Sequence, residues 1–458
     1  MESQQCIRVA IVGSGMAGLV TANLLLRDDR KRYAVKVFES GNSLSLDSAS
    51  VSIPNAARTS SDRVDLPMRA FAGGFYSNLK ALYDYLGVQY HSQPFLFEFA
   101  RSTNAPSQQG AQRDATYFAH ASNLHQLAPR PSTIGIIPYL MEFAYMAACY
   151  VWFSLCCFLV ATHPGETLQQ YLERTWTPER FVTYYLVPLI SGVTTCPHKT
   201  LLAFPASDVI EYKRRTHKAP HYTVSEGVQA AQDRLVRGVD YELGAAITAV
   251  EPQEKGVKVS WKKSDGSDDS VQSEYFDRVV LAVAPDVVGR VFEPLRHHMT
   301  RIPTAVVESV VHTDSSVLAQ EPQMQNAADA HGAQLIHLNT STTDTHTTES
   351  HHVQPCGAIV TTCPFSPIEP SLTIHSAKFT RVLRSPESQR IVNAMFRETE
   401  ETFSDEKSVP LWKNGDDNVW LVGGWCWDGM VLLEGCVISA MRVAHAFGVQ
   451  IPWQSERA

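Results

Sequence analysis

The sequence has no excess of positive charge. Its 458 residues include 39 Lys and Arg against 47 Asp and Glu, which gives a formal net charge of −8 at pH 7. A protein that neutralises phosphates needs clustered cations, so we expect no nucleic-acid partner. The sequence is not poor in apolar residues either, because they make up 44% of the chain, and this excludes a disordered protein. At this length we expect two or three closely connected subdomains.

Paired cysteines with metal-ligand spacing are also missing from the sequence. The nine cysteines include no CxxC pair, so no metal site is expected. Cys149, Cys156 and Cys157 lie in an apolar run, where buried free thiols are the expected state. Free thiols favour an intracellular location, and the first residues lead directly into a strand, which leaves no room for a signal peptide. We expect a protein that is cytoplasmic or bound peripherally to a membrane.

Several histidines occur in a part of the sequence that is rich in Thr and Ser. They are His331, His337, His346, His351 and His352. Their irregular spacing, without nearby carboxylates or thiolates in a ligand pattern, indicates a solvated loop and not a metal site.

One long hydrophobic run requires an interpretation. Residues 143–161 are 19 residues without a charge, and the apolar character begins near Ile134. By length the run is a candidate membrane span. However, segments that look like parts of one nucleotide-binding domain precede and follow it, and a single span would separate them. We therefore interpret 134–161 as a buried helix lining an apolar substrate cavity, with a re-entrant or monotopic membrane-surface contact as the alternative.

The N-terminal segment has the pattern of a strand, a glycine turn and a helix. Residues 7–12 are a short apolar run, GSGMAG follows at 13–18, and a second strand ends at Glu39. Gly13 permits the tight turn, Gly15 lets a diphosphate approach the backbone, and Gly18 lets the helix pack closely on the sheet. The helix N-terminus offers free N–H groups to phosphates, and Glu39 can accept hydrogen bonds from a ribose. This pattern predicts a dinucleotide-binding unit.

Two later segments favour FAD over NAD as the dinucleotide. Residues 278–285, RVVLAVAP, predict a strand that ends in a turn before a helix. Residues 419–429, VWLVGGWCWDG, and the helix after them predict a last strand–helix unit that returns to the same sheet. A domain assembled from both ends of the chain is typical of FAD-dependent oxidoreductases, so we expect FAD.

Several further segments carry a resemblance to a known family. They are residues 64–88, 166–197, 202–206, 221–235 and 310–314. With the two ends of the chain, they resemble the flavin-containing amine oxidoreductase superfamily, and most closely its NAD/FAD-binding amine oxidoreductase-like proteins. The resemblance implies an α/β fold with an FAD/NAD(P)-binding Rossmann-like domain and an inserted α+β substrate domain, the p-hydroxybenzoate-hydroxylase or amine-oxidase-like architecture. It implies non-covalent FAD, an FAD domain at 1–70, 211–295 and 401–458, and a substrate domain at 71–210 and 296–400.

By matching position, the resemblance also implies the cofactor-binding residues. Those expected at the ADP half are Gly13, Ser14, Gly15, Met16, Ala17, Gly18, Glu39 and Ser40, with Ala246 near the adenine. Those expected near the flavin are Gly424, Trp425, Leu433 and Glu434. Two further candidates are Arg69, where the chain returns toward the flavin, and Ala282, in the segment 278–285. Arg69 could meet the flavin edge or a substrate carboxylate, or it could be an ordinary ion-paired arginine. Either Trp425 or Trp427 could face the flavin, and both could simply pack.

The sequence departs from true amine oxidases near its C-terminus. Leu432 and Leu433 stand where relatives carry other residues, and Leu432 cannot supply the aromatic side of an amine cage. Arg69, Trp425 and Leu432 are the candidate residues facing the flavin. We expect an FAD-dependent dehydrogenase, oxidase or desaturase that takes a hydride from a small apolar molecule or acyl chain, with oxygen or another electron acceptor. The alternatives are an amine oxidase that forms imine and hydrogen peroxide, and a flavin-dependent non-redox isomerase or cyclase.

Overall fold

The computed structural model describes residues 6–54, 61–102, 116–264, 266, 270–318, 321–341, 346–396 and 412–454. Its strands are β1 (Ile7–Val12), β2 (Tyr33–Phe38), β3 (Val51–Pro54), β4 (Ser61–Val64), β5 (Phe71–Ala72), β6 (Tyr90–Ser92), β7 (Phe95–Ser102), β8 (Phe118–Ala121), β9 (His221–Val224), β10 (Asp240–Glu242), β11 (Ala245–Pro252), β12 (Val257–Lys263), β13 (Gln272–Phe276), β14 (Arg278–Leu281), β15 (Thr304–His312), β16 (Gln334–Ser341), β17 (Thr348–Val353), β18 (Ile359–Thr362), β19 (Thr373–Val382) and β20 (Val419–Leu421). Its helices are α1 (Met16–Leu26), α2 (Ser77–Leu86), α3 (Ile136–Leu159), α4 (Leu168–Arg174), α5 (Glu179–Phe181), α6 (Val187–Thr194), α7 (His198–Leu202), α8 (Ala206–Thr216), α9 (Val228–Leu235), α10 (Pro285–Val291), α11 (Arg296–Met299), α12 (Pro322–Ala330), α13 (Pro386–Phe396) and α14 (Leu433–Ala446).

β1 is the central strand of a parallel sheet that, in the described residues, has the order β10-β2-β1-β14-β20. Val9 and Ile11 are fully buried, as expected of a strand covered on both faces. On one face α1 and α14 pack in a single apolar cluster. On the other face lie the antiparallel strands β11, β12 and β13 with α10. The sheet is built from distant segments of the chain, which confirms the predicted discontinuous Rossmann-like domain.

A second sheet carries the inserted unit. Its order is β19-β15-β18-β17-β16-β7-β8, and the pair β16–β7 is parallel whereas the other pairs are antiparallel. Helices α3, α4, α6 and α8 contribute to the apolar cluster that contains Phe95 and Phe99 of β7. This mixed sheet backed by helices is the predicted α+β substrate domain.

Two helices lie outside the domain to which their sequence position assigned them. α2 falls in the predicted substrate segment 71–210, but Leu79 and Leu82 pack in the same core as α1 and α14. α13 falls in the predicted segment 296–400, yet Ile391 and Val392 pack in the cluster beside β14 and β20. The predicted boundaries are therefore wrong at these two helices, because amphipathic helices of this kind can be assigned only from the surface that they bury.

The hydrophobic run forms α3, but the helix is not buried. It is long and apolar enough to cross a membrane, and only 28% of its most apolar 18-residue window is buried. Its inward positions, including Cys149, Phe153 and Cys157, pack in the core, and the predicted buried free thiols are confirmed. The prediction of a buried helix is wrong because only one side of α3 meets protein.

Three of the histidines assigned to a solvated loop lie in strands. His337 is in β16, and His351 and His352 are in β17, all buried. His337 Nδ1 lies 2.7 Å from a carboxylate oxygen of Glu98, and His351 Nε2 lies 3.3 Å from Oε1 of Glu349. The loop prediction was wrong because it took a Thr-rich composition as a sign of a loop. Thr is β-branched and also favours strands.

Glu349→Gln is expected to destabilise the substrate domain. The buried Glu349 carboxylate accepts hydrogen bonds of 2.9 Å from the backbone N–H groups of Phe365 and Ser366. Burial alone would raise the pKa of Glu349, but the nearby His351 imidazole and the hydrogen bonds from Ser366 outweigh it and lower the pKa from 4.5 to about 2. A lowered pKa stabilises the folded state above the unfolded-state pKa, and the contribution disappears as the pH falls through about 2.

We therefore expect the substitution to lower the free energy of unfolding at pH 7 by about 2 kcal/mol. Urea titrations at pH 7, 4 and 3 measure this difference, which should shrink toward low pH. The exposed Glu254 provides a control, Glu254→Gln. A difference that stays constant with pH would contradict the assigned role of the carboxylate.

Candidate active site

The glycine turn between β1 and α1 has the geometry of a dinucleotide cradle. Gly13 has a φ of +103°, and a Cβ there would lie 2.6 Å from the carbonyl oxygen of Ala282. A Cβ on Gly18 would lie 2.0 Å from the carbonyl oxygen of Gly13. A Cβ on Gly15 would meet only Ser45 Oγ, at 3.8 Å. Gly13 and Gly18 are thus required by packing, whereas Gly15 leaves open space next to the N-terminus of α1.

A second group of predicted residues gathers at the end of β2. Oε2 of the buried Glu39 accepts hydrogen bonds from Ser14 N at 3.1 Å and Ser14 Oγ at 2.5 Å. Oε1 accepts from Ser40 Oγ at 3.2 Å and from Gly41 N at 2.8 Å. The Ala245 N–H donates to the Glu39 carbonyl at 2.8 Å, which places Ala246, the next residue, beside this corner. The structure therefore brings Ser14, Glu39, Ser40 and Ala246 together.

A cavity of about 440 Å³ adjoins the glycine turn and extends along the mixed sheet. The predicted residues that line it are Gly15, Met16, Ala17, Arg69, Ala282, Gly424, Trp425, Leu432 and Leu433. From the sheet, its lining includes Phe95 and Phe97 of β7, Ile336 and Leu338 of β16, and Phe379 of β19. The cavity thus joins the nucleotide-binding turn to an apolar surface of the substrate domain.

The two tryptophans after the glycine doublet have different environments. Trp425 lines the cavity, and its Nε1 donates to the carbonyl of Val283 at 3.1 Å. Trp427 packs in the core, and its Nε1 donates to the carbonyl of Met430 at 2.9 Å. The buried Arg384 holds this loop, donating to the carbonyl oxygens of Trp427 at 2.8 Å and Gly429 at 2.9 Å. Sequence patterns missed Arg384, because nothing local indicates which loop it reaches.

Glu434 lies elsewhere than predicted. Its fully buried carboxylate accepts hydrogen bonds from the N–H groups of Asn78 at 2.9 Å and Leu79 at 3.0 Å, in the first turn of α2. It also accepts one from Asn78 Nδ2 at 2.8 Å. A carboxylate at a helix N-terminus satisfies free N–H groups and complements the helix dipole. Glu434 is therefore a cap that joins α14 to α2, and we correct its assignment as a cofactor ligand.

Arg69 lies in the cavity and not on an ordinary surface. Its Nη2 donates to the carbonyl of Leu46 at 2.9 Å, whereas its Nε has no hydrogen-bond partner among the described residues. Burial lowers the pKa of Arg69, and the nearby carboxyl group of Asp65 opposes this shift. The carboxyl group of Asp65 is therefore near enough to affect Arg69, although the two form no ion pair among the described residues.

Arg381 is a second cavity cation, which sequence analysis missed. On β19 it faces the cavity two residues after Phe379. Its Nε donates to Thr195 Oγ1 at 2.9 Å and its Nη2 to the carbonyl of Val193 at 3.3 Å. No carboxylate in the described part of the chain forms an ion pair with it, and burial lowers its pKa. The strand alternation that places Arg381 on the same face as Phe379 was the available signal.

The remaining titratable groups of the cavity add little charge at neutral pH. His221 and His352 line it, and burial lowers the pKa of both to about 4, so both imidazoles are neutral at pH 7. Among the described lining residues there is no Asp or Glu. The cavity is therefore mainly apolar with a positive charge balance.

The hydrophobic helix α3 contributes no residue to this lining. Its inward side chains pack in the cluster that also contains Phe95 and Phe97, and these two phenylalanines line the cavity instead. The prediction that 134–161 lines the substrate cavity is therefore wrong.

The site and the fold define a nucleotide-binding Rossmann domain with an inserted substrate domain. Residues 11–86 match the family model of the NAD(P)-binding Rossmann-like domain. No curated protein sequence matches the chain.

Two solved structures are similar over nearly the whole chain. Cyclohexylamine oxidase from Brevibacterium oxydans IH-35A is 11% identical with a TM-score of 0.56, covering 96% of this chain and 98% of that one. The CLA-producing fatty acid isomerase from P. acnes is 12% identical with a TM-score of 0.58, covering 98% and 100%. At these identities the likeness concerns the fold, and it confirms the predicted amine-oxidase-like architecture.

Proposed function

We propose that this protein is an FAD-dependent oxidoreductase that takes a hydride from a C–H bond of an apolar acyl chain bearing a carboxylate. The supporting observation is the cavity that begins at Gly15, continues along an apolar sheet and contains the cation Arg381, which has no carboxylate partner in the described part of the chain. An apolar pocket with a few polar groups is typical of a small-molecule site, and a half-buried cavity cation that forms no ion pair among the described residues favours an anionic ligand.

The residues around the turn fit FAD. The open space at Gly15 and the N–H groups at the start of α1 suit the diphosphate. Glu39, with Ser14 and Ser40, would meet the ribose, and Ala246 would lie near the adenine. Ala282, Gly424 and Trp425 would lie along the flavin half, which we propose is held without a covalent bond.

The chain's own residues would bind and orient the substrate. Arg381 would hold the carboxylate, and the strands around Phe97 and Leu338 would bury the acyl chain away from water. Trp425 and Leu432 would shape the part of the cavity where the acyl chain of the substrate meets the cofactor. When bound, the flavin would supply the two-electron acceptor for the hydride, a proton would leave the adjacent carbon to water, and oxygen or another acceptor would take up the two electrons.

Amine oxidation is the second candidate, because the aromatic residues Tyr76 and Trp425 line the cavity. The charge of the cavity argues against it. Two arginines and no carboxylate among the described lining residues would repel a protonated amine. A non-redox isomerase acting on the same acyl chain is the third candidate, and it uses the same binding groups.

Anaerobic flavin bleaching is the test of the proposed function. We expect the purified protein to show flavin absorbance, to release FAD on acid precipitation, and to be bleached by a long-chain fatty acid but not by cyclohexylamine. Mass spectrometry should find a product two hydrogens lighter. Protein that neither carries nor takes up flavin would refute the proposal. Bleaching by amines would establish the second candidate in its place, and a product of unchanged mass would establish the third.

A further inference from the structure

α3 exposes a continuous apolar face along its whole length. We call this face the apolar stripe and define it by Ile137, Leu140, Met141, Val151, Leu155 and Leu159. Their side chains are between 49% and 77% exposed. At about 100° per residue these positions fall within an arc of about 100°, and the stripe is about 33 Å long. Soluble monomers rarely expose apolar patches of this size, so the stripe indicates a binding surface.

The opposite side of α3 is fixed to protein. Cys149, Phe153 and Cys157 are buried in the substrate-domain core. Glu142, on the same side of the helix, forms an ion pair with Arg180 at 2.7 Å. A spanning helix would carry this ion pair and its protein-facing side into hydrocarbon, which is unfavourable. The geometry therefore suits a helix that lies in the plane of a surface.

Aromatic side chains lie beside the stripe. Trp152 is 47% exposed, and its Nε1 donates to the carbonyl of Thr175 at 2.9 Å. Trp176, which directly follows Thr175, lies in the turn after α4. It is 85% exposed and has a φ of +54°. Exposed tryptophans at the edge of an apolar surface are typical of the interface between lipid headgroups and hydrocarbon.

A basic segment flanks the C-terminal half of α3. Residues 211–218, EYKRRTHK, contain four Lys and Arg and one Glu. Lys213 Nζ donates to the hydroxyl of Tyr150 at 2.9 Å, and the ring of His217 lies 5.3 Å from that of Phe158. Arg215 and Lys218 are exposed. Clustered cations next to an apolar helix face are complementary to anionic lipid headgroups.

We propose that the apolar stripe of α3 docks this protein in the plane of an anionic lipid bilayer, with Trp152, Trp176 and the basic segment at the headgroups. This inference goes beyond the proposed function and does not depend on it, because vesicle binding can be measured whether or not the enzyme turns over.

Vesicle sedimentation with the full-length protein as purified is the first test. We expect binding to vesicles of phosphatidylcholine and phosphatidylserine that weakens with salt. Val151→Glu/Leu155→Glu should lower the partition coefficient at least about 10-fold, because two carboxylates would enter the interface. The matched control is Val306→Glu/Ile374→Glu, with the same charge change at positions 70% and 47% exposed outside α3. It should change partitioning less than about twofold.

Fluorescence gives a second readout that does not require a folding-sensitive substitution. Brominated acyl chains should quench the wild-type tryptophan emission, and the variant Trp152→Phe/Trp176→Phe should lose most of that quenching. Equal unfolding temperatures in all variants would show that the fold is retained. Arg215→Gln/Lys218→Gln should weaken binding to anionic vesicles selectively.

Three results would overturn the proposal. The first is no binding of the wild type to the vesicles that contain phosphatidylserine, and the second is equal losses in the stripe variant and its control. The third is a dimer in sedimentation velocity that Val151→Glu/Leu155→Glu dissociates while vesicle binding is undetectable, since the stripe would then be covered by a second copy of the chain.

Discussion

Gly15→Val is expected to give a folded protein that purifies without flavin. A Cβ at Gly15 would meet only Ser45 Oγ at 3.8 Å, and the residue has φ −72° and ψ −178°, an extended conformation that valine favours. The fold therefore accepts the side chain. The branched methyl groups would occupy the space through which the diphosphate approaches the N-terminus of α1, so the affinity for FAD should fall at least about 100-fold, or about 2.7 kcal/mol.

Gly18→Ala is the matched comparison, because it adds a smaller side chain to the same turn. Its Cβ would lie 2.0 Å from the carbonyl oxygen of Gly13, so backbone atoms must move. We expect this variant to lose stability as well as flavin, whereas Gly15→Val should keep the unfolding temperature of the flavin-free wild type. Absorbance near the flavin bands and thermal unfolding of flavin-free samples separate the two effects. Stoichiometric flavin in Gly15→Val would show that the dinucleotide binds elsewhere.

The nucleotide-binding unit could be predicted because its constraints are local. Gly13 and Gly18 are each required by a close backbone approach within one strand–turn–helix, and Glu39 directly follows the next strand. The last strand and helix could also be predicted, since two apolar runs joined by glycines are typical of a strand, a turn and a helix. The binding roles of these residues remain predictions.

The residues that sequence analysis misplaced depend on contacts between distant segments. Hydrophobicity identified α3 as a helix but contains no information about which of its sides meets protein. Glu434 adjoins the glycine-rich C-terminal unit in sequence, yet its carboxylate caps α2, which lies more than 300 residues earlier in the chain. Arg381 has no motif around it, and it becomes significant only when β19 is placed beside β15 at the cavity.

Arg381→Met is expected to weaken binding of long-chain carboxylates with little effect on stability. Arg381 has no carboxylate partner among the described residues. Its removal therefore does not deprive a buried carboxylate of its counter-charge. Arg384 differs, because its Nε lies 3.6 Å from Oδ2 of the buried Asp208, and its removal would leave that carboxylate unpaired. A charge-assisted hydrogen bond contributes about 1.5–3 kcal/mol, so the dissociation constant should rise about 10- to 100-fold.

Comparing the affinities for oleate and methyl oleate isolates the contribution of the ligand's carboxylate charge. The wild type should bind the acid more tightly, and Arg381→Met should bind acid and ester about equally, because the ester never had the ionic contact. Arg381→Lys should retain part of the preference, since it keeps the charge but not the planar guanidinium. Isothermal titration with the flavin-loaded proteins measures all six affinities. The opposite result, in which Arg69→Met abolishes the preference while Arg381→Met preserves it, would contradict this prediction. The carboxylate would then be bound at Arg69, near Asp65, and the substrate would lie in the opposite direction along the cavity.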